Sequence, residues 1–314
     1  TGVQTCALPI SIAMTTYNGE CYIQEQLDSI IAQRMANWEL VICDDCSSDN
    51  TWLILQEYSQ KDGRVKIFRN EKNLGFKRNF EKAISFCTGE YIALCDQDDV
   101  WSENHLSILL QNIGCHDLIC ANALYIDSSG NTTGLSVKRT GFYVSENKNE
   151  QFFQLFFQNY VQGCTCLFKK CLVEKIIPIP DEYQFHDWWI AVVAAMNGGA
   201  YYIDEKIVNY RIHSKSITNS NNRNCFSALK NKLKNSRAYY RDILNVHNYL
   251  NCIELDESQK MYKRKAEKII SCFSTWKQRF LCLHEYIQNW QLICFDSNSL
   301  KFPFYFAKKI LLCC

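Results

Sequence analysis

The chain has 314 residues, 47% of them hydrophobic and 21% charged, with a formal net charge of +1. That is enough for one large α/β domain, or one domain plus an appendage, around a full core. No run of about 20 apolar residues occurs, which excludes a membrane-spanning helix. The near-zero charge hides an asymmetry: from Arg223 onward there are 16 Lys and Arg against 7 Asp and Glu, about +9, and the remainder is about −8.

Thr1–Ile10 reads as neither a signal peptide nor a strand lead. It resembles the translation of a sequencing-library adapter, so residues 1–10 are expected to be an artefact outside the fold. Ser11–Thr16 reads as the first strand, followed by turn chemistry at Tyr17-Asn18-Gly19. Glu20–Gln33 is an amphipathic helix with Ile23, Leu27, Ile30 and Ile31 inward. Trp38–Cys43 is a second strand, and Thr51–Gln60 is a helix after the loop Ser47–Asn50. Val65–Phe68, Phe76–Cys87 and Tyr91–Cys95 continue as strand, helix and strand. Strand and helix thus alternate at a spacing of roughly 30 residues, the pattern of a doubly wound, mostly parallel sheet. No G-x-G-x-x-G or G-x-x-x-x-G-K-[ST] is present, which disfavours a dinucleotide fold or a P-loop.

Ser102–Gln111 reads as a helix and Asp117–Ala121 as a short strand. Thr132–Asn149 is polar and aperiodic, a loop able to cover a site. A helix at Gln151–Gln158, a strand at Gly163–Phe168 and a short helix at Cys171–Ile176 follow. His186-Asp187-Trp188-Trp189 opens an apolar helix, and Ala200–Asp204 and Ile207–Arg211 read as two strands. After a polar linker at Asn219–Asn224 the chain is mostly helical and basic, ending in the aromatic and basic stretch Lys301–Leu312. Such an end suits an anionic membrane face, or a helix packed on the body.

Eighteen cysteines do not make a secreted disulfide scaffold here. The chain is long, and Cys43, Cys87, Cys95 and Cys120 lie inside apolar runs, where they act as small hydrophobes in a reducing compartment. Cys43 and Cys46 have C-x-x-C spacing, but no second pair accompanies them.

The chemistry gathers at Asp96-Gln97-Asp98-Asp99, directly after the apolar run Tyr91–Cys95. A buried parallel strand delivers such residues to its C-terminal end, where open α/β sheets bind ligands. Asp96 and Asp98 point to one side of an extended segment and repel each other. A hard divalent cation, Mg²⁺ or Mn²⁺, relieves that repulsion. Alone, the cluster also reads as an acidic turn capping the next helix.

Several motifs coincide in order: Thr15-Thr16-Tyr17-Asn18; Asp44-Asp45-Cys46-Ser47-Ser48-Asp49; Asn70-Glu71-Lys72-Asn73-Leu74-Gly75; Asp96-Gln97-Asp98-Asp99-Val100-Trp101; Gly163-Cys164-Thr165; His186-Asp187-Trp188-Trp189; and Tyr210-Arg211-Ile212-His213. Together they resemble family 2 glycosyltransferases, nearest the rhamnosyltransferase-like branch of bacterial polysaccharide synthesis. The resemblance covers about residues 11–220, leaving 221–314 as a basic helical C-terminal extension. It implies a glycosyltransferase A-type fold, a nucleotide-diphosphate sugar donor, a divalent cation and inversion at the anomeric carbon. It further implies that Thr16, Tyr17 and Asn18 line the base pocket and that Asp44 accepts from a pyrimidine N–H. Asn73 and Gly75 border the nucleotide. By the same resemblance Asp98 would bind the metal, Asp96 would hold the ribose or a metal-bound water, and His213 would help hold the metal or diphosphate, with the division of roles among Asp96, Asp98 and Asp99 left open by the sequence. Asp187 is the expected general base, with Gly163 on the acceptor side. Of Trp188 and Trp189, one is expected to wall the acceptor pocket and the other to pack in the core, since neighbours on a helix do not share a face. An apolar wall would raise the pKa of Asp187.

The expected acceptor is a glycan or lipid-linked glycan, and no nucleic-acid partner is expected. The expected location is the cytoplasm, peripheral on the inner membrane face. The competing readings are a sugar nucleotidyltransferase, which would want a basic Gly-rich loop after the first strand, and a non-catalytic glycan-binding homologue. The co-occurrence of Asp44, Asp96, Asp98, Asp187 and His213 argues against the latter.

Overall fold

The computed structural model describes residues 10–138, 142–157, 159–214, 248–251 and 253–271. Four strands, β1 (Ile10–Thr16), β2 (Trp38–Asp44), β3 (Val65–Arg69) and β4 (Tyr91–Cys95), lie parallel in the order β3-β2-β1-β4. The sheet continues antiparallel to β8 (Cys166–Lys169), then β6 (Leu118–Ile126), β9 (Ala200–Arg211) and the two-residue β5 (Val100–Trp101). β7 (Thr132–Ser136) pairs with β6 off this path.

The apolar runs explain the layering. Successive residues of a strand face opposite sides, so Ile10, Ile12, Met14, Leu40, Ile42, Ala93 and Cys95 enter one core and Ala13, Val41, Cys43, Ile92 and Leu94 the other. Helix α1 (Ile23–Ile31) covers the first side through Ile23, Leu27 and Ile30, all fully buried, while Ile31 turns outward. Helices α3 (Phe76–Phe86), α5 (Lys148–Leu155) and α7 (His186–Met196) bury their apolar residues in the second core. Each fully buried Leu or Ile contributes about 1.5–3 kcal/mol.

Four expectations change. Ile10 is the first residue of β1, in register with Trp38 and Tyr91, so the last residue of the segment set aside as 1–10 belongs to the fold. The two strands expected at 200–211 are one strand, because register shifts beside Ala121 and Asn122 absorb the polar break at Glu205-Lys206. Gly163–Thr165 is a short 3-10 turn before β8, not strand. The expected loop 132–149 contains β7, exposed over most of its length.

Part of the C-terminal extension joins the body. Leu250, Leu255 and Ala266 are buried in the core that holds α5 and α7, and helix α8 (Glu257–Ser271) sets Tyr262 5.8 Å from Phe153. The linker at 219–224 and the stretch 301–312 lie outside the described residues. Among the described residues no helix is long and apolar enough to cross a membrane.

Candidate active site

The parallel strands end together. Thr16 pairs with Asp44 and Met14 with Cys95, so the acidic segments after β2 and β4 leave the sheet at one edge.

The β2 segment is saturated with donors. Asp44 is fully buried; it accepts from Thr16 Oγ1 at 3.0 Å, from the Ser47 N–H at 3.0 Å and from the Ser47 hydroxyl, and Arg69 Nε lies 3.4 Å away. Three of the about four acceptor sites of its two carboxylate oxygens are thus filled by hydrogen bonds, and the Arg69 ion pair faces the remainder. Asp44 is thereby tied into the protein, and Thr16, buried, donates to it. Its neighbour Asp45 accepts from the N–H groups of Leu74 (2.7 Å) and Gly75 (2.9 Å) and from Asn70 Nδ2 (2.8 Å). It thereby pins the loop carrying Asn73, whose own Oδ1 also accepts from Gly75 N–H. Gly75 has φ +81°, a conformation open to glycine.

The rim of this edge is open. Tyr17 is 49% exposed, and Asn73 and Gly75 are exposed. Asn18 donates its N–H to Ser47 Oγ and accepts from Ser48 N–H. Gln97 clamps Tyr17, accepting its N–H at 2.8 Å and donating to its carbonyl at 3.1 Å. A Cβ on Gly19 would fall 2.2 Å from Gln97 Oε1, so glycine is what admits the clamp.

The β4 segment behaves differently, because its carboxylates face one another. Burial first, then the charge of Asp98, then that of Asp187, push Asp96 up to about 7. Burial, then Asp98 and Asp96, raise Asp99 well above the usual carboxylate range. Asp99 accepts the Arg211 N–H with one oxygen (3.0 Å), and its other oxygen is buried without a hydrogen-bond partner. Ligand atoms of Asp96, Asp99 and Cys164 lie within 4.8 Å of one another. Asp98 Oδ2 lies 2.8 Å from His213 Nε2, and the His213 ring rests on Tyr22 at 4.9 Å. The Arg211 guanidinium is buried, donates to the Asp98 carbonyl and pairs with Glu25 at 2.6 Å. Crowded oxygens, one of them orphaned, with a histidine at the edge are a donor set that suits a hard divalent cation. The Cys164 thiol, raised by burial, stays protonated and suits such a cation poorly.

Asp187 reaches this neighbourhood from another element, the first turn of α7. Asn159 Nδ2 donates to its Oδ1 at 2.9 Å and Gly163 N–H to its Oδ2 at 3.1 Å. Burial pushes its pKa up to about 6, against the lowering influence of these N–H groups, of the Trp188 N–H and of Lys138. The expected raised value is found, but neither tryptophan is an open wall beside it. Trp188 and Trp189 are both buried, and their indole N–H groups donate to the carbonyls of Leu155 and Ile176, each at 2.8 Å. Both indoles are core, which corrects the expectation that one lines an acceptor pocket. His186 is buried, stacks on Phe80 at 3.9 Å and is held neutral by burial.

Asp45, Gln97, Asn159 and Lys138 were not singled out as site residues from sequence. Asp45 stood beside Asp44 in the same motif, and Gln97 stood between the acidic residues; nothing in the sequence around Asn159 or Lys138 marks them.

A mixed sheet whose parallel half ends in acidic loops, faced by a carboxylate on a separate helix, is the architecture of the glycosyltransferase A-type fold. Solved structures show the same fold. S. aureus TarS 1–349 in complex with UDP-GlcNAc matches with a TM-score of 0.59 at 18% identity, covering 98% of this chain and 89% of that one. The mannosyltransferase PcManGT from Pyrobaculum calidifontis, in complex with GDP-Man and Mn²⁺, matches with a TM-score of 0.60 at 13% identity, covering 98% and 86%.

The chain belongs to Glycosyl transferase family 2, whose sequence model matches residues 11–177. A dTDP-rhamnosyl transferase of Shigella flexneri, RfbG, is 28% identical over 287 residues, 85% of this chain and 94% of that protein. An uncharacterized glycosyltransferase of Haemophilus influenzae is 25% identical over 83% of this chain and 85% of its own length. The Escherichia coli UDP-Glc:alpha-D-GlcNAc-diphosphoundecaprenol beta-1,3-glucosyltransferase WfgD is 40% identical, over 33% of this chain and 42% of its own.

Proposed function

We propose that this glycosyltransferase moves a sugar, rhamnose or another hexose, from a nucleotide-diphosphate donor to a hydroxyl of a growing cell-surface glycan, with inversion at the anomeric carbon. One observation carries the reading: the turn Gly163-Cys164 joins the two carboxylate groups, its Gly163 N–H bonding Asp187 Oδ2 at 3.1 Å and its Cys164 thiol lying within 4.8 Å of ligand atoms of Asp96 and Asp99. In-line displacement needs a leaving diphosphate on one side of the sugar and a proton acceptor on the other. The cluster after β4 serves the first side and Asp187 the second.

Asp98, with Asp96 and His213, would hold Mg²⁺ or Mn²⁺, which when bound neutralises charge on the departing diphosphate. Tyr17, Asn18, Asn73 and Gly75 border the nucleotide, and the Asp44 tie to Thr16 and Ser47 holds that border in shape. Asp187 accepts the proton of the incoming hydroxyl; above its pKa of about 6 it is a carboxylate. Gly163, with no side chain, keeps the approach beside it clear. Orienting two reactants in this way supplies roughly 7–11 kcal/mol in the best cases. The relatives that use dTDP-rhamnose or UDP-glucose, one of them on a diphosphoundecaprenol-linked sugar, support a donor and a lipid-linked acceptor of those classes. The basic segment after Arg223 suits peripheral contact with the inner membrane face.

A donor panel with Mg²⁺ or Mn²⁺ tests the reading. Release of a nucleoside diphosphate that stops with a chelator, and a product of inverted anomeric configuration, are expected. Release of pyrophosphate would make it a nucleotidyltransferase, and absence of turnover with every donor a glycan-binding homologue. Liposome binding unchanged by truncation after Ser220 would refute the membrane contact.

A further inference from the structure

We infer that Asn159 is the positioning residue that aims the Asp187 carboxylate, with the Gly163 N–H fixing the other oxygen. The inference rests on Asp187 being the base. Asn159 cannot be read either way round: its Oδ1 accepts from the Val161 N–H at 3.0 Å, so its amide NH₂ faces Asp187. Flipping the amide would set oxygen against oxygen and NH₂ against N–H, losing both hydrogen bonds. The chain turn at Asn159–Val161 thus presents a neutral donor of fixed direction. Gly163 completes the clamp from the following turn, and its Cα region is close: a Cβ there would lie 3.4 Å from His186 Nε2 and 3.7 Å from Asp187 Oδ2.

A neutral clamp has a chemical consequence. Asp187 also receives the N–H of its neighbour Trp188, so three N–H groups meet two oxygens that offer about four acceptor sites, which leaves capacity for an incoming hydroxyl proton. The charged or titratable groups that face Asp187 from other elements are Lys138 after β7, Asp96 after β4 and the Cys166 thiol on β8; none of these is within hydrogen-bond distance of its carboxylate. The Trp188 N–H belongs to the helix that carries Asp187 and moves with it, so aim from outside that helix falls to Asn159 and Gly163.

The experiment uses the full chain and the donor that releases nucleoside diphosphate fastest, with water as acceptor. Asn159→Ala is expected to lower kcat roughly 10- to 100-fold, the scale of a small misplacement at a reacting centre, with donor KM within about twofold. Asn159→Asp, nearly the same shape, is expected to move the acid limb of the kcat profile to higher pH, because a second carboxylate would stand against Asp187. If Asp187→Asn is inactive while both Asn159 variants keep the parent kcat and acid limb, the positioning role is overturned and the base stands. If Asp187→Asn itself turns over at the parent rate, the base assignment fails instead. Should Asn159→Ala not fold, the acid limb of Asn159→Asp decides alone: unshifted, it refutes the inference.

Discussion

The two acidic segments at the ends of β2 and β4 look alike in sequence and differ in what they face. Asp44 and Asp45 meet hydroxyls, N–H groups and Arg69, all supplied by the protein. Asp96, Asp98 and Asp99 crowd one another, with His213 beside Asp98 and the Arg211 N–H and Cys164 thiol beside Asp99. A carboxylate satisfied by the protein holds shape. A carboxylate left in conflict stores a demand for something outside the chain, because buried like charges repel and unpaired polar atoms cost free energy. The difference separates scaffold from site within one sheet edge.

Four substitutions sharpen or break that contrast. Asp187→Asn, on the proton-accepting side, is expected to cost about 10²–10⁴-fold in kcat while leaving donor binding in place, measured by turnover and calorimetry. Asp98→Asn is expected to weaken Mn²⁺ binding at least about 10-fold, whereas Asp44→Asn leaves it within about twofold. The wild-type affinity for Mn²⁺ should also fall as pH drops below about 7, since Asp96, raised to about 7, is then protonated and no ligand. A titration at pH 6 and pH 8 reads this directly; equal affinities would place Asp96 outside the metal site. Asp44→Asn is expected to lower stability by about 1–3 kcal/mol, because buried donors lose their acceptor, seen as a lower denaturant midpoint at constant slope. Trp188→Phe is expected to cost about 1 kcal/mol of stability, through the lost hydrogen bond to Leu155, with no change in acceptor KM. A large rise in acceptor KM would return that indole to the site.

The sequence made the parallel half of the fold legible for a physical reason. Uninterrupted apolar runs of four or five residues, Leu40–Cys43 and Tyr91–Cys95, fit strands buried on both faces, and their ends carry the acids. β7 hid because an exposed edge strand reads as Thr132-Thr133-Gly134, loop-like composition. β9 looked split because a register shift carries its polar break. The candidate site residues Asp96, Asp98, His213 and Asp187 were legible as residue types in order. Their partners were not, since a hydrogen bond across 28 residues, as between Thr16 and Asp44 or Asn159 and Asp187, leaves no periodic trace. The two tryptophans mark the same limit: adjacency showed aromatic bulk, but not that the carbonyls of Leu155 and Ile176 already hold both indole N–H groups.

The most direct measurement is a crystal structure with Mn²⁺ and a non-transferable analogue of the donor. The account predicts the cation against Asp98 and the diphosphate, and the Asp187 carboxylate across the sugar, on the side of the anomeric carbon opposite the leaving oxygen. Asp187 on the same side as the diphosphate, or turned out of the cleft with the analogue bound, would contradict it.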